Sequence, residues 1–304
     1  MVKSGHEKII VIVGTNASGK SSLAVRLAKK YSGEIISADS RQVYKGLDIA
    51  TGKVTSEEMA SVPHHLIDIA DPKDTYTAAT FAKDGQKVIE DMVSRKKLPI
   101  VAGGTGFYID ALLNPSILTF AAPNKELREG FELLPANILF AQLKNIDPER
   151  AAALEEKGEQ NHVRRIIRSL EIALSPKEKA EKISSLPHFK VLWIGIRWDT
   201  DVLRQRIHER TLIRTEDGMV GEAKKLHTNG LSWKRMEELG LEYKHLADYL
   251  RNKITREQLI EYIDRDDARY AKRQRTWFKR NKEIHWFEGD KLDGVEKLVK
   301  EFLK

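Results

Sequence analysis

The chain has 304 residues, 52 Lys plus Arg against 45 Asp plus Glu, and no cysteine, which excludes a disulfide framework, Cys-ligated zinc or iron–sulfur sites and a thiol nucleophile. At 41% hydrophobic and 32% charged it reads as a globular protein of one large or two moderate domains. A net charge of +7 admits a polyanionic partner without requiring one.

The opening MVKSGHEKIIVIVG has a six-residue apolar stretch that runs into a glycine-rich loop, so no secretory signal is expected there. No apolar run approaches the roughly 18–20 residues of a membrane span, and a cytoplasmic protein is the expectation. Lys8–Val13 predicts a buried strand, and Ser21–Lys30 a helix with Leu23, Ala24 and Leu27 on one face. Glu34–Ala38 predicts a second strand, Leu66–Ile69 a third, Ala78–Arg95 a helix and Leu98–Ala102 another apolar strand. Short strands alternating with helices predict an α/β fold, a parallel sheet flanked by helices. From Asn114 to about Pro187 the pattern is helical and charged, punctuated by Pro115, Pro123, Pro135, Pro148 and Pro176. Val191–Ile196 then returns as a strand. Thr200–Lys282 reads helical with breaks at Gly218, Gly230 and Gly240. The expected organisation is an α/β core from residues 1–113 and 188–304, interrupted by a helical insertion over 114–187.

Gly14-Thr15-Asn16-Ala17-Ser18-Gly19-Lys20-Ser21 fits G-x-x-x-x-G-K-[ST], between a predicted strand and a predicted helix. Its N–H groups and the helix N-terminus would hold an anion, Lys20 would add a point charge, and the Ser21 hydroxyl would hold Mg²⁺. The loop alone does not say which phosphate. The strand Leu98–Ala102 ends in Gly103-Gly104-Thr105-Gly106 with no Asp, which favours a transferase gripping a diphosphate over a motor-type ATPase. Asp39 ends the second strand. Strand C-termini converge on the ligand crevice of such sheets, so this carboxylate is a candidate general base, with a helix cap or turn as the alternative.

Residues 269–282, RYAKRQRTWFKRNK, hold seven Lys or Arg and no acid, with Tyr270, Trp277 and Phe278 interleaved. Charge with aromatic stacking is a means of holding single-stranded RNA loops. Arg164, Arg165 and Arg168 form a second basic cluster on a predicted helix, with a solvated face paired to Glu171 as the alternative. His64-His65 is expected to be structural or channel-lining, and Trp193, Trp198, Trp233 and Trp286 to be packing residues.

Six ordered blocks resemble the tRNA dimethylallyltransferase (tRNA isopentenyltransferase) family across about residues 8–288. They are Asp39-Ser-Arg-Gln-Val-Tyr-Lys-Gly-Leu-Asp-Ile-Ala-Thr-Gly-Lys53, Pro63-His-His-Leu-Ile-Asp-Ile-Ala-Asp-Pro72, Tyr76-Thr-Ala with Phe81, Gly103-Gly-Thr-Gly-Phe-Tyr-Ile109, Arg165-Ile-Ile-Arg168-Ser-Leu-Glu171 and Ala271-Lys-Arg-Gln-Arg-Thr-Trp-Phe278, in addition to the phosphate loop. The resemblance implies a P-loop NTPase-like fold and transfer of a dimethylallyl group from dimethylallyl diphosphate to N6 of adenosine 37 of tRNA, with Mg²⁺. It implies that Gly14 to Ser21 bind diphosphate and that Asp39 is the base. It puts Thr105 in the substrate channel and Arg210 on the diphosphate. Asp39, Ser40, Arg41, Gln42, Arg164, Arg165, Arg168, Lys272, Arg273, Gln274, Arg275, Trp277, Lys279 and Arg280 would meet tRNA, and the insertion would contact the anticodon stem-loop. A monomer is implied. Without cysteine the chain lacks the zinc finger that eukaryotic members append, so the bacterial type is implied. Departures are Thr15-Asn16 for a common Pro-Thr, Arg164 where Gln is frequent, Ala268-Arg269 for a common Thr-Arg, and Gly240-Leu-Glu-Tyr243-Lys244 for Gly-Tyr-Lys/Arg. The rivals are a P-loop kinase, an enzyme prenylating free AMP, and a non-catalytic RNA-binding protein.

Overall fold

The computed structural model describes residues 7–118, 124–175 and 189–304. β1 (Lys8–Gly14) leads through the glycine-rich loop into α1 (Lys20–Tyr31), followed by β2 (Gly33–Ser37), α2 (Ser56–Met59), β3 (His64–His65), α3 (Ala78–Ser94), β4 (Leu98–Gly103) and α4 (Gly106–Leu113). Next come α5 (Lys125–Phe131), α6 (Ala136–Ile146), α7 (Pro148–Glu156) and α8 (Val163–Leu174). The chain then returns with β5 (Lys190–Arg197), α9 (Thr200–Glu216), α10 (Met219–Thr228), α11 (Trp233–Leu239), α12 (Leu241–Leu250), α13 (Arg256–Phe278), β6 (His285–Glu288) and α14 (Asp293–Leu303).

The strands form one sheet in the order β3-β2-β4-β1-β5-β6, every neighbouring pair parallel. Central β1 pairs Ile10 with Ile100 on one side and with Leu192 on the other. Successive side chains of a strand point to opposite faces. Ile9, Val11 and Val13 accordingly pack with Phe81, Ile89 and Met92 of α3 and Ile109 and Leu112 of α4. Ile10 and Ile12 pack with Leu23, Ala24 and Leu27 of α1 and Val295 and Val299 of α14. Both faces are covered, which is why the strand reads as an unbroken apolar run.

The expected α/β architecture is therefore present, with local differences. Leu66–Ile69 is not a strand. Pairing stops at His65 because Leu66 and Asp68 turn into the left-handed region, at φ 59° and 55°. The N–H groups of Asp68 and Ile69 donate to Gln42 and Val43 carbonyls instead. β6 and α14 lie beyond the predicted elements. Pro123, Pro176 and Pro187, and the helical reading around them, lie outside the described residues.

The described residues of Met1–Pro115 and Ser185–Lys304 form one compact unit and those of Ser116–Ser184 a second. The first unit has another apolar core, in which Val43, Tyr44, Leu47 and Ala50 pack with Met236, Tyr243, Leu246, Leu259 and Ile263. That core seats the long loop after β2 on the C-terminal helices. The second unit packs Leu139 and Leu143 of α6 with Ile166 and Leu170 of α8. There the nearly fully buried Glu171 accepts from the Asn124 N–H and from Arg128 and Arg168. Among the described residues no helix is long and apolar enough to cross a membrane.

Candidate active site

β1 ends at Gly14, where a Cβ would stand 2.6 Å from Ser18 Oγ and 2.9 Å from the Ile196 carbonyl. The loop then turns through left-handed Ala17 and Gly19 into the start of α1, where the first-turn N–H groups of a helix have no intrahelical acceptor and suit an anion. Lys20 Nζ donates to the Thr15 carbonyl at 3.0 Å. From the far side, Trp198 Nε1 donates to the Ser18 carbonyl at 3.0 Å and Arg206 Nε to the Ala17 carbonyl at 2.9 Å. The Arg206 guanidinium also lies over the Trp198 ring at 4.4 Å. Two loop donors are engaged within the chain. The Asn16 N–H donates to Gln274 Oε1 at 2.9 Å and the Ser18 N–H to the Thr15 carbonyl at 3.3 Å. The substituted Asn16 turns its own amide nitrogen toward the Asp267 carbonyl at 3.4 Å.

The loop opens on a cleft of about 490 Å³ lined, among others, by Lys20, Ser21, Asp39, Arg41, Arg210 and Tyr270. Asp39 is half-buried there, and its Oδ1 accepts from the N–H groups of Arg41 and Gln42 at 2.8 and 3.3 Å. This turn leaves the other carboxylate oxygen to the cleft. One oxygen thus makes the turn that the alternative reading expects, and the turn does not occupy the second oxygen, the one a general base would use. Burial pushes the Lys20 ammonium down to about 8; Asp39 opposes this and Arg210 adds to it.

Arg206, Arg210 and Arg214 recur every four residues on α9, so they lie along one face. Arg210 donates to the Gly52 carbonyl at 2.8 Å, and a Cβ at Gly52 would collide with its guanidinium at 1.8 Å. Arg214 donates to the Ala50 carbonyl at 2.6 Å, to Glu242 at 2.8 Å and to Asp267 at 3.2 Å. Burial, with Glu242 alongside, pushes the Asp267 carboxyl up to about 7, against the pull of Arg214 and Arg210. Glu222 of α10 captures three successive N–H groups of the same loop, those of Asp48, Ile49 and Ala50, at 2.9, 2.7 and 3.1 Å. Tyr243 donates its hydroxyl to Glu222 at 2.6 Å. The departure around Gly240 to Lys244 therefore puts its tyrosine in the core, at 1% exposure, and not on RNA.

Thr105 does not line the cleft directly. Its Oγ1 accepts from the Ser40 N–H at 3.1 Å, while its own N–H donates to the Ala38 carbonyl at 3.1 Å, so it braces the turn that carries Asp39. Ser40, Arg41 and Gln42 all line the cleft, with Gln42 donating to the Gly52 carbonyl at 3.3 Å. His64 also lines it, as the channel reading anticipates, whereas His65 bonds the buried Glu34 at 2.8 Å. Tyr270, expected only as an aromatic of the basic block, lines the cleft with Asp39, and burial with the Asp39 charge pushes its phenol up to about 12.

The basic block divides by helical face. Lys272, Arg273, Arg275, Lys279 and Arg280 are exposed. Phe278 is in the core at 3% exposure and Gln274 is buried at 5%. Trp277 packs against Gly106 and donates to Asp110 at 3.1 Å, with Arg280 stacked 3.8 Å over its ring. Phe278 is therefore no stacking platform for a nucleobase, and the Gln274 amide is occupied within the protein. In the second unit Arg164 is exposed, Arg165 pairs with Glu159, and Arg168 pairs with Glu171 at 3.1 Å.

A glycine-rich strand-to-helix loop and a carboxylate turn on one parallel-sheet cleft are the features expected of a P-loop transferase. Residues 42–281 match the family model described as IPP transferase. A Treponema denticola protein named tRNA dimethylallyltransferase 2 is 43% identical over 282 residues, 91% of this chain and 93% of that relative. A tRNA isopentenylpyrophosphate transferase from Bacillus halodurans superposes with a TM-score of 0.72 at 37% identity, covering 98% of this chain and 95% of the other. A eukaryotic dimethylallyltransferase acting on tRNA gives a TM-score of 0.80 at 27% identity, covering 98% of this chain and 79% of that one. The chain belongs to the IPP transferase family.

Proposed function

We infer that this chain is a tRNA dimethylallyltransferase, moving a dimethylallyl group from dimethylallyl diphosphate to N6 of adenosine 37 beside the anticodon. The observation that carries this is the single cleft shared by the anion loop and the open oxygen of Asp39. N6 of adenine is a weak nucleophile, so transfer needs both proton removal and a stabilised leaving group. Asp39 takes the N6 proton as the bond from N6 to the allylic carbon forms. The carbon–oxygen bond breaks, and diphosphate leaves with its electron pair. Lys20, Arg210 and the first-turn N–H groups of α1 face that growing negative charge. Arg41, Arg273 and the exposed basic residues of α13 take RNA phosphates, as Arg164 does in the second unit.

The cleft's oxygen donors, the Ser21 hydroxyl and the Asp39 carboxylate, suit a hard cation. Ser21 would hold Mg²⁺, the diphosphate and water supplying its other ligands. When bound, the ion adds charge stabilisation for the leaving group. A tRNA substrate supports a cytoplasmic location.

The test is incubation of the purified protein with undermodified tRNA, dimethylallyl diphosphate and Mg²⁺ but no ATP, followed by nucleoside mass spectrometry. A dimethylallyl mass gain on adenosine 37 is expected. Gain on free AMP alone, or dependence on ATP, would overturn the reading.

A further inference from the structure

β1 and β4 are hydrogen-bonded neighbours whose last paired residues are Val13 and Gly103. Beyond that pair the two chains part. One enters the anion loop, and the other enters Gly104 and Thr105, which braces the Asp39 turn. Between them stands the amide of Gln274, from the inner face of α13. Its Oε1 accepts from the Asn16 N–H at 2.9 Å, and its Nε2 donates to the Gly104 carbonyl at 3.0 Å. A backbone N–H only donates and a carbonyl only accepts, so these partners fix the amide's orientation. The side chain acts as one more rung of the parallel ladder after the backbones have separated.

Space for that rung exists only because residue 104 is glycine. A Cβ there would stand 2.1 Å from Gln274 Nε2. On the same helical face, Asp267 accepts the Asn16 side-chain amide on its carbonyl and holds Arg214 with its carboxylate. Tyr270, between them, lies against Thr105 and Gln274. Positions 267, 270 and 274 follow the three- and four-residue spacing of one helical stripe.

We propose that Gln274 is a positioning residue, setting the separation between the loop that holds the leaving diphosphate and the turn that presents Asp39. The proposal rests on the transferase reading above. Reacting groups must be aligned to a fraction of an ångström, and misplacement by about 1 Å costs on the order of 100-fold in rate. Removing the rung should therefore lower kcat and leave substrate binding largely intact. A residue contacting RNA would instead change KM for tRNA.

The test compares Q274E and Q274M with wild type in steady-state transfer to tRNA. In Q274E the ionised carboxylate repels the Gly104 carbonyl. Once protonated it offers one donor and one acceptor in the glutamine's places. At about pH 8 both variants should lose about 10- to 100-fold in kcat, with KM for both substrates within about threefold. Between about pH 8 and pH 6 the ratio of Q274E to wild type should rise at least about tenfold as the buried carboxyl protonates, while the Q274M ratio stays flat. A flat Q274E ratio overturns the proposal. So does near-normal kcat in Q274M, or a loss confined to KM for tRNA. If circular dichroism shows Q274E unfolded, Q274M decides alone: a fall in kcat of about tenfold or more at unchanged KM supports the role, and a smaller fall overturns it. Wild-type turnover is the separate control, because its absence would sink the transferase reading and not the ratio argument.

Discussion

At the scale of single residues, the site separates structural from chemical duties within one side chain. Asn at position 39 would keep an oxygen for the Arg41 and Gln42 N–H groups and lose the base. D39N should therefore fold normally and bind tRNA with little change, while kcat falls about 100- to 10,000-fold. Full rate in D39N would refute the base assignment. Lys20 carries a second signature. Its free-state pKa is depressed to about 8 by burial, and a bound diphosphate restores the ammonium. Above that pH, binding must first return a proton to Lys20, so affinity falls as pH rises. Relative to K20M, which cancels the ligand's own ionisation, pyrophosphate affinity by calorimetry should be flat below about pH 7. It should then weaken toward tenfold per pH unit above about pH 9. Parallel curves for the two proteins would contradict a Lys20 contact.

At the scale of elements, the loop from Asp39 to Lys53 has almost no regular structure, yet the C-terminal helices hold it from several directions. Glu222 takes three of its N–H groups, Arg210 and Arg214 take two of its carbonyls, and the buried Lys53 pairs with Asp48 and Asp68. Hydrogen bonds to a charged group contribute about 1.5–3 kcal/mol each, and orphaned donors are costly. E222A should lower unfolding free energy by about 2–4 kcal/mol and Y243F by about 0.5–1.5. Since the Tyr243 hydroxyl, the only group Y243F removes, reaches the loop through Glu222, the double variant should cost less than the sum. Additive losses would show that the two do not form one network. The β1 strand, the phosphate loop and the Asp39 turn were legible because each is local: an apolar run, a glycine spacing, a carboxylate at a strand end. The clamp was not, because its partners lie far apart in the chain, as Asp48 and Glu222 do. The basic block misled for a related reason. A helix polar on nearly every side offers hydropathy no face to choose. Gln274 and Lys272 therefore looked alike until packing turned one inward and the other out.

At the scale of the whole molecule, the +7 charge is a poor guide to RNA affinity, because much of the basic surface is already paired. Arg165 faces Glu159, Arg168 faces Glu171, Arg280 faces Asp110 and Trp277, and Arg275 donates to Thr200. Lys272 and Lys279 are exposed on α13. Each phosphate neutralised by a lysine releases counterions and steepens the dependence of log affinity on log salt by about 0.7–0.9. K272A and K279A should each flatten that slope for tRNA by nearly one unit and leave thermal stability and pyrophosphate binding unchanged. R168A should do the reverse. It strips a partner from Glu171, which is 1% exposed, so it should cost about 1–3 kcal/mol of stability while changing the salt slope less than either lysine does. Salt titrations of tRNA binding, read beside thermal unfolding of the same three variants, separate the two kinds of basic residue. A slope change larger in R168A than in K279A would place the electrostatic contact with tRNA on the helical second unit and not on α13.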